Sequence, residues 1–352
     1  MSRMLSIISK KIIKPFTPNP STHRWHKLSI LDQCLTHFYM PFVFFYPKNQ
    51  VYDIPNGPKQ LSNLLSNSLS KTLSYYYPWA GSLKDNATIE CDDHGAEFLE
   101  VQINSPMDKV VDSNVKDLTF PQGVPWANGV DRALIVAQLS HFYCGGIALS
   151  VCLSHKIGDG SSANCFLRDW AALTRSSNTN PSPYFIEDSI IPSPIGPLVS
   201  PVVGSDIDKC VQKRFIFSST KLSALKSSIG VQNVTSNEAV NTLVYKSSAT
   251  IVNSGSFKLS QLVQFFDLRE IISPPLPPNS IDFGFGKPIR ASFAKGPRNK
   301  FIILMRTYDG GIEAFVNLNE QEMFVFEHDK QFLEFARPIN GDLCSEEEQH
   351  YT

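Results

Sequence analysis

The chain lacks any cysteine pattern that would mark a metal site or a disulfide framework. Its seven cysteines are scattered, with no C-x-x-C pair and no metal-ligand spacing. An odd set of this kind fits buried thiols in a reducing compartment. Charge of one sign is also missing. The formal net charge is -1 at pH 7, which argues against nucleic acid or an anionic membrane surface as the main partner. Long apolar runs are absent too, since no stretch approaches the roughly 20 apolar residues of a membrane span. The opening MSRMLSIISKKIIKPF has too short an apolar run, and no small-residue cleavage site, for a secretory signal. A cytoplasmic location is therefore expected. Familiar catalytic templates are wanting as well, with no G-x-S-x-G elbow, no H-E-x-x-H and no P-loop.

What is present is material for a large core. The 352 residues are 42% hydrophobic, enough for two domains or one large one. The stretch SVCLSHKIGDGSSANCFLRDWAALTR, Ser150 to Arg175, carries the clearest local signal. Its first part is apolar and β-prone and ends on His155. Asp159 follows four residues later, flanked by Gly158 and Gly160. Ala163, Phe166, Leu167, Trp170 and Ala171 then recur at helical spacing, with Ser161 or Asp159 as the N-cap. A histidine thus stands at the end of a buried strand, on a glycine-flanked turn before a helix. An imidazole there can take up and return a proton near neutral pH. Asp159 has two readings. It orients His155 as a triad acid does, or it turns away and fixes the loop through an arginine or backbone amides. The second is preferred, because the intervening glycine lets the chain reverse direction. Gly158, Gly160 and Ala163 also spell G-x-G-x-x-A, a dinucleotide-type pattern. Against it, the expected ribose-binding acid is missing from NTNPSPYF, and the preceding strand belongs to a hairpin.

Along the chain, Lys10 to Pro18 reads as an edge strand entering a turn, and Tyr39 to Tyr46 as a buried strand. Leucines between Lys59 and Tyr76 mark a helix stopped by Pro78. Two hairpins are expected. One pairs Ala87 to Cys91 with Ala96 to Ile103, and the other, Ala133 to His155, turns at Cys144-Gly145-Gly146. Residues 176–205 hold six prolines and little period, and read as a crossover between domains. Beyond it come a strand at Lys213 to Ser218, a helix at Thr220 to Ile229 and a helix opened by a T-S-N-E capping box at Thr235. A strand at Leu262 to Leu268, a hairpin at Phe301 to Leu318 and a last helix over Glu320 to Ala336 complete the second half. Both halves mix strands and helices in an α/β pattern.

Two signatures in order then point to a family. HKIGD, His155 to Asp159, matches the H-x-x-x-D motif of the plant BAHD acyltransferases. DFGFG, Asp282 to Gly286, resembles their D-F-G-W-G, with Phe285 in place of tryptophan. LSILD, YYYPWAGSL, the CGG turn and the PPLP run add support. Within the family, the chain is similar to the capsaicin-synthase and vinorine-synthase-like enzymes of specialised metabolism. The resemblance implies two chloramphenicol-acetyltransferase-like α/β domains joined by a long crossover, with a channel between them. The N-terminal domain would be 1–175, the linker 176–205 and the C-terminal domain 206–352. It implies a monomeric acyltransferase that takes acyl-CoA as co-substrate and an alcohol or amine as acceptor. No metal and no permanently bound cofactor are expected. His155 would act as general base. Asp159 would pair with Arg269, in the position of the family's N-x-R arginine. Asp282, Gly284 and Gly286, with Gly158 and Gly160, would support the site's geometry and perform no chemistry.

Two departures from the family pattern stand out. The N-x-R asparagine is replaced by Asp267, and PPLPPNSI runs directly into DFGFG. Family members carry a block on the order of 80 residues between these motifs, more than any dispensable loop. The second domain is therefore expected to be truncated. Two functions follow: a working acyltransferase, or an inactive relative arising from altered splicing, a pseudogene or a faulty gene model.

Overall fold

The computed structural model describes residues 4–35, 37–51, 57–111, 114–127, 132–175, 180–185, 210–252, 262–263, 281–296 and 299–339. By contacts the chain divides into two units. One comprises 1–203 and 278–294, the other 204–277 and 295–352. Sequence had assigned 278–294 to the C-terminal domain. Here DFGFG and the strand after it group with the first unit.

In order, the first unit contains β1 (Leu5–Ile13), β2 (Trp25–Lys27), α1 (Ile30–Cys34), β3 (Tyr39–Tyr46), a short α2 (Lys48–Val51) and α3 (Gly57–Tyr75). It continues with β4 (Ser82–Leu83), β5 (Thr88–Glu90), β6 (Ala96–Ile103), a short α4 (Asp108–Val111), β7 (Ile135–Phe142), β8 (Ile147–Ser154) and α5 (Gly160–Thr174). The six-stranded main sheet runs β1, β6, β7, β8, β3 and finally β10 (Arg290–Phe293), with β1 at one edge. Only the β6–β7 pairing in it is parallel. All eight residues of β7 and all eight of β8 are buried. Such strands are covered on both faces, and their buried polar side chains find partners inside, Gln138 Nε2 on Leu118 O and Ser140 Oγ, and His141 Nε2 on Glu100 Oε1.

The core divides along this sheet. Val43, Phe45, Val101, Val136, Phe142 and Ala148 share one cluster. The two long helices also pack against each other. Trp170 on α5 donates its Nε1–H to Leu65 O (3.2 Å) and Ser68 Oγ (3.0 Å) on α3, so this fully buried indole meets its hydrogen-bonding needs inside the core.

Two local expectations change. The alternating segments around Asp93-His94-Gly95 do form strands, but they are not a hairpin. β5 pairs with β2 and β4 in a small separate sheet, while β6 pairs with β1 and β7. The opening strand runs from Leu5 to Ile13, earlier than the Lys10 to Pro18 expected of it.

The second unit carries a four-stranded antiparallel sheet ordered β11 (Phe301–Arg306), β12 (Ile312–Asn319), β9 (Cys210–Phe217) and β13 (Arg337–Pro338). Helices α6 (Ser219–Ile229), α7 (Ser236–Val252), α8 (Glu320–Phe326) and α9 (Lys330–Phe335) complete it. One apolar cluster unites Phe215, Phe217, Leu225, Val240, Phe326 and Phe332. The capping box is present, with Glu238 N–H on Thr235 Oγ1 at 3.2 Å and Thr235 N–H on Glu238 Oε2 at 2.8 Å. The expected last helix is two helices, because the Asp329 side chain accepts from the N–H groups of Gln331 and Phe332 and starts a new one. Leu262 and Val263 lie outside any strand. The rest of that expected strand, Arg269 and most of the crossover fall outside the described residues. Among the described residues no helix is long and apolar enough to cross a membrane.

Candidate active site

The antiparallel ladder between β3 and β8 places the histidine. Tyr39 lies opposite Ser154, so the next step of the ladder sets Phe38 against His155. The His155 N–H donates to Phe38 O at 2.8 Å. The two rings meet edge to face with centroids 5.0 Å apart, and Phe38 in turn leans on Trp126 at 5.3 Å. Trp126 is held from behind, its N–H donating to Tyr39 O at 3.0 Å, on a backbone with φ of 58°. The imidazole thus stands at the end of a rigid strand beside an aromatic wall.

Its electrostatics follow from this position. The His155 Nδ1 is buried and makes no hydrogen bond to another residue among those described. Burial lowers the pKa of the ring below the usual histidine value. Its own backbone carbonyl, Asp159 and Asp32 pull the other way, and Lys156 adds to the lowering. Burial prevails, so the ring is a neutral base near pH 7.

Asp159 is the N-cap of α5. Its Oδ1 accepts from Ser162 N–H (3.0 Å) and Ser162 Oγ (2.9 Å). Among the described residues no carboxylate is hydrogen-bonded to the His155 ring, and the Asp159 side chain caps the helix. Ser161, the other N-cap considered, lies within the helix. The flanking glycines have different reasons. A Cβ on Gly158 would meet Ser162 Cβ at 2.7 Å and Trp79 Cζ2 at 3.1 Å, so only glycine fits. A Cβ on Gly160 would meet nothing within 4 Å, and neither glycine has a positive φ. Gly158 therefore supports the turn by its size, and Gly160 makes no comparable demand.

The second signature lies at the other end of α5. Asp282 Oδ1 accepts from the N–H groups of Gly284 (2.7 Å) and Gly286 (3.0 Å). The Arg175 guanidinium, just past the last turn of α5, donates to Asp282 O. Phe283 packs on Trp170 and Phe285 on Tyr46. The positive φ of Gly284, 102°, lets the loop fold back on its own aspartate. A 15-residue helix separates the two signatures, about 22 Å at 1.5 Å per residue. Asp282 orders its own loop and does not approach His155.

Sequence reading passed over the residues packed behind the histidine. Lys156 is fully buried. Its Nζ donates to Asp32 O (3.0 Å), Gln33 O (3.0 Å) and Asn86 Oδ1 (2.7 Å). His37 Nε2 also meets Asn86 Oδ1 at 3.3 Å. Asp32 belongs to the capping box of α1 with Ser29; this is the LSILD segment, which sequence tied to the family but not to a helix or to His155. Among the described residues no group of three or more His, Cys, Asp or Glu is placed to hold a metal ion.

Known proteins share this arrangement of sequence and fold. The Transferase family profile matches residues 3–281. Acyltransferase Pun1 of Capsicum frutescens is 36% identical over 434 aligned positions, covering 95% of this chain and 98% of that protein. That alignment is longer than the 352 residues present here, so the relative carries residues without a counterpart. Among solved structures, vinorine synthase superposes with a TM-score of 0.77 at 24% identity, covering 91% of this chain and 96% of that one. F. sporotrichioides TRI101, complexed with coenzyme A and T-2, gives 0.69 at 14% identity over 90% of this chain and all of that one. These last two likenesses establish the mixed α/β, chloramphenicol-acetyltransferase-like fold. The profile match and the Pun1 alignment together establish that the chain belongs to the Transferase family, the BAHD acyltransferases of plant specialised metabolism.

Proposed function

We propose that the chain transfers an acyl group from acyl-CoA to an alcohol or amine, with His155 as general base. The observation that carries this reading is the state of the imidazole. It is held at a strand end, lowered in pKa by burial, and has a buried ring nitrogen that no other described residue engages. A neutral imidazole takes the acceptor's O–H or N–H proton as the acceptor oxygen or nitrogen attacks the thioester carbonyl. A tetrahedral oxyanion forms and collapses, the C–S bond breaks, and the departing thiolate receives the proton from the imidazolium. The products are an ester or amide and free CoA. A thioester is already activated, so the step needs no metal. Asp159 contributes by capping α5 and holding the turn that carries the base. The net charge of -1 supports small-molecule partners, and we read the protein as a cytoplasmic monomer without a permanent cofactor.

The test is purified protein mixed with an acyl-CoA and a panel of alcohols and amines, with free thiol followed over time. Thiol release that depends on the acceptor and vanishes in His155→Ala supports the reading. Absence of release from folded protein overturns it.

One observation favours a second reading, an inactive shortened relative. The family match ends at Ile281, immediately before the DFGFG loop, where PPLPPNSI meets Asp282 without the block expected there. A missing slab of domain leaves apolar surface uncovered and admits water to a site that must protect a thioester. Folded protein that hydrolyses acyl-CoA or leaves it intact, whatever the acceptor, is the result this reading expects.

A further inference from the structure

We infer that Lys156 is a positioning residue for His155, its ammonium clamping the turn that carries the imidazole to the end of α1 and to Asn86. The inference rests on the reading of His155 as the base.

Lysine is almost never fully buried without a partner, and taking its charge out of water is costly. Here the whole side chain is buried. An ammonium has three protons, and among the described residues three acceptors meet this one: Asp32 O at 3.0 Å, Gln33 O at 3.0 Å and Asn86 Oδ1 at 2.7 Å. Two of them are carbonyls at the C-terminal end of α1, where a positive charge is favoured. Helix α1 has only five residues and cannot hold itself in place. The end of α1 and Asn86 already meet, Asn86 Nδ2 donating to Gln33 O at 3.2 Å, and the lysine ties the His155 turn to both at one point.

That point is next to the base. On its N-terminal side the His155 backbone is fixed by the bond to Phe38 O. On its C-terminal side it is fixed by the Lys156 clamp, and three residues later by the Asp159 cap. Any well-packed apolar side chain could fill the same volume. A charge held there by three directed bonds fixes a single backbone geometry, and general-base catalysis requires that geometry to within fractions of an ångström.

The charged groups around the two residues are identifiable. Asp32 and Asp159 face His155 and favour its protonation, while Lys156 opposes it. Asp32 and Cys34 face Lys156. His26 faces Asp32, and His37 approaches through Asn86 and is itself kept neutral by burial and by Lys156. Loss of the ammonium removes a positive neighbour from His155 and opens its turn to water, and both effects move its titration upward.

The variants are Lys156→Met, which deletes the charge; Lys156→Arg, which keeps charge but not the three-acceptor geometry; and Asn86→Ala, which removes one acceptor. Each is checked for folding by circular dichroism. His155 is titrated by NMR of histidine-labelled protein, its signal assigned by its loss in His155→Ala. The expected result is an upward move in Lys156→Met and a smaller one in the same direction in Asn86→Ala. Thiol release should show kcat down about 10- to 100-fold with KM little changed in Lys156→Met, and a drop in kcat with little change in titration in Lys156→Arg. If Lys156→Met does not fold, Asn86→Ala carries the test. A His155 titration identical to wild type in the folded Lys156→Met and Asn86→Ala proteins overturns the clamp, even if activity falls. If wild type releases no thiol, the acyltransferase reading fails, and the titration still decides whether the clamp exists.

Discussion

His155 and Phe38 are bound twice, once through the backbone at 2.8 Å and once by an edge-to-face ring contact at 5.0 Å. The first contact belongs to the sheet and would survive any side chain at position 38. The second shields the imidazole. Phe38→Ala should therefore leave the strand intact but admit water beside the ring. Burial is the largest cause of the lowered His155 pKa, so the titration of His155 should move up towards the ordinary histidine value. The NMR titration checks this, and kcat should fall with it. An unchanged titration would mean that the shielding comes from elsewhere.

The same lowering sets the pH response of the wild type. The acid limb of kcat/KM should lie below pH 6.5, the ordinary histidine value, because the base stays unprotonated there. Stability carries a matching sign. Below pH 6.5 the unfolded chain takes up a proton at this position before the folded chain does. The contribution of His155 to stability is thus complete above 6.5 and is lost as pH falls towards the folded value. His155→Phe should remove that part of the acid sensitivity, measured as urea midpoints at pH 7.5 and pH 5.5.

How much of this was legible in sequence depends on how local each signal is. Tyr39 to Tyr46 forms a strand with those bounds, because a continuous apolar run between polar turns states its own length. The β7–β8 hairpin was readable from its CGG turn, and the Thr235 cap from its own four residues. Pairing partners are not local. β5 and β6 alternate convincingly around Asp93-His94-Gly95, yet alternation does not name a partner, and each pairs elsewhere. The Lys156 clamp was hidden for the same reason. Its acceptors lie 124, 123 and 70 residues away, and one lysine inside an otherwise ordinary motif has no period. His155 itself could be found because its strand, turn and helix are consecutive.

Asp282 offers a separation of stability from chemistry. Its Oδ1 holds two backbone N–H groups, and its position is one helix length from Asp159. Asp282→Ala leaves both donors without their acceptor and should cost about 1–3 kcal/mol in urea unfolding. Asp282→Asn keeps an acceptor oxygen and should cost about half as much. In both, the NMR titration of His155 should match wild type. A shifted titration would show that the loop reaches the base through α5 after all.

The two glycines that flank Asp159 look equivalent in sequence and should behave oppositely. In Gly158→Ala the new methyl would lie 2.7 Å from Ser162 Cβ and 3.1 Å from the Trp79 ring. Ser162 must then move, and it supplies both donors to the Asp159 cap. Crowding and a weakened cap together should cost about 2–3 kcal/mol, with a fall in thiol release, because the His155 turn shifts with the cap. Gly160 opens α5, has room on every side and no positive φ. Gly160→Ala restricts the unfolded chain and favours the helix, so stability should rise by about 0.5 kcal/mol with activity unchanged. Urea unfolding of the two variants side by side decides the matter, and equal losses would mean that the turn depends on flexibility at both glycines and not on space at one.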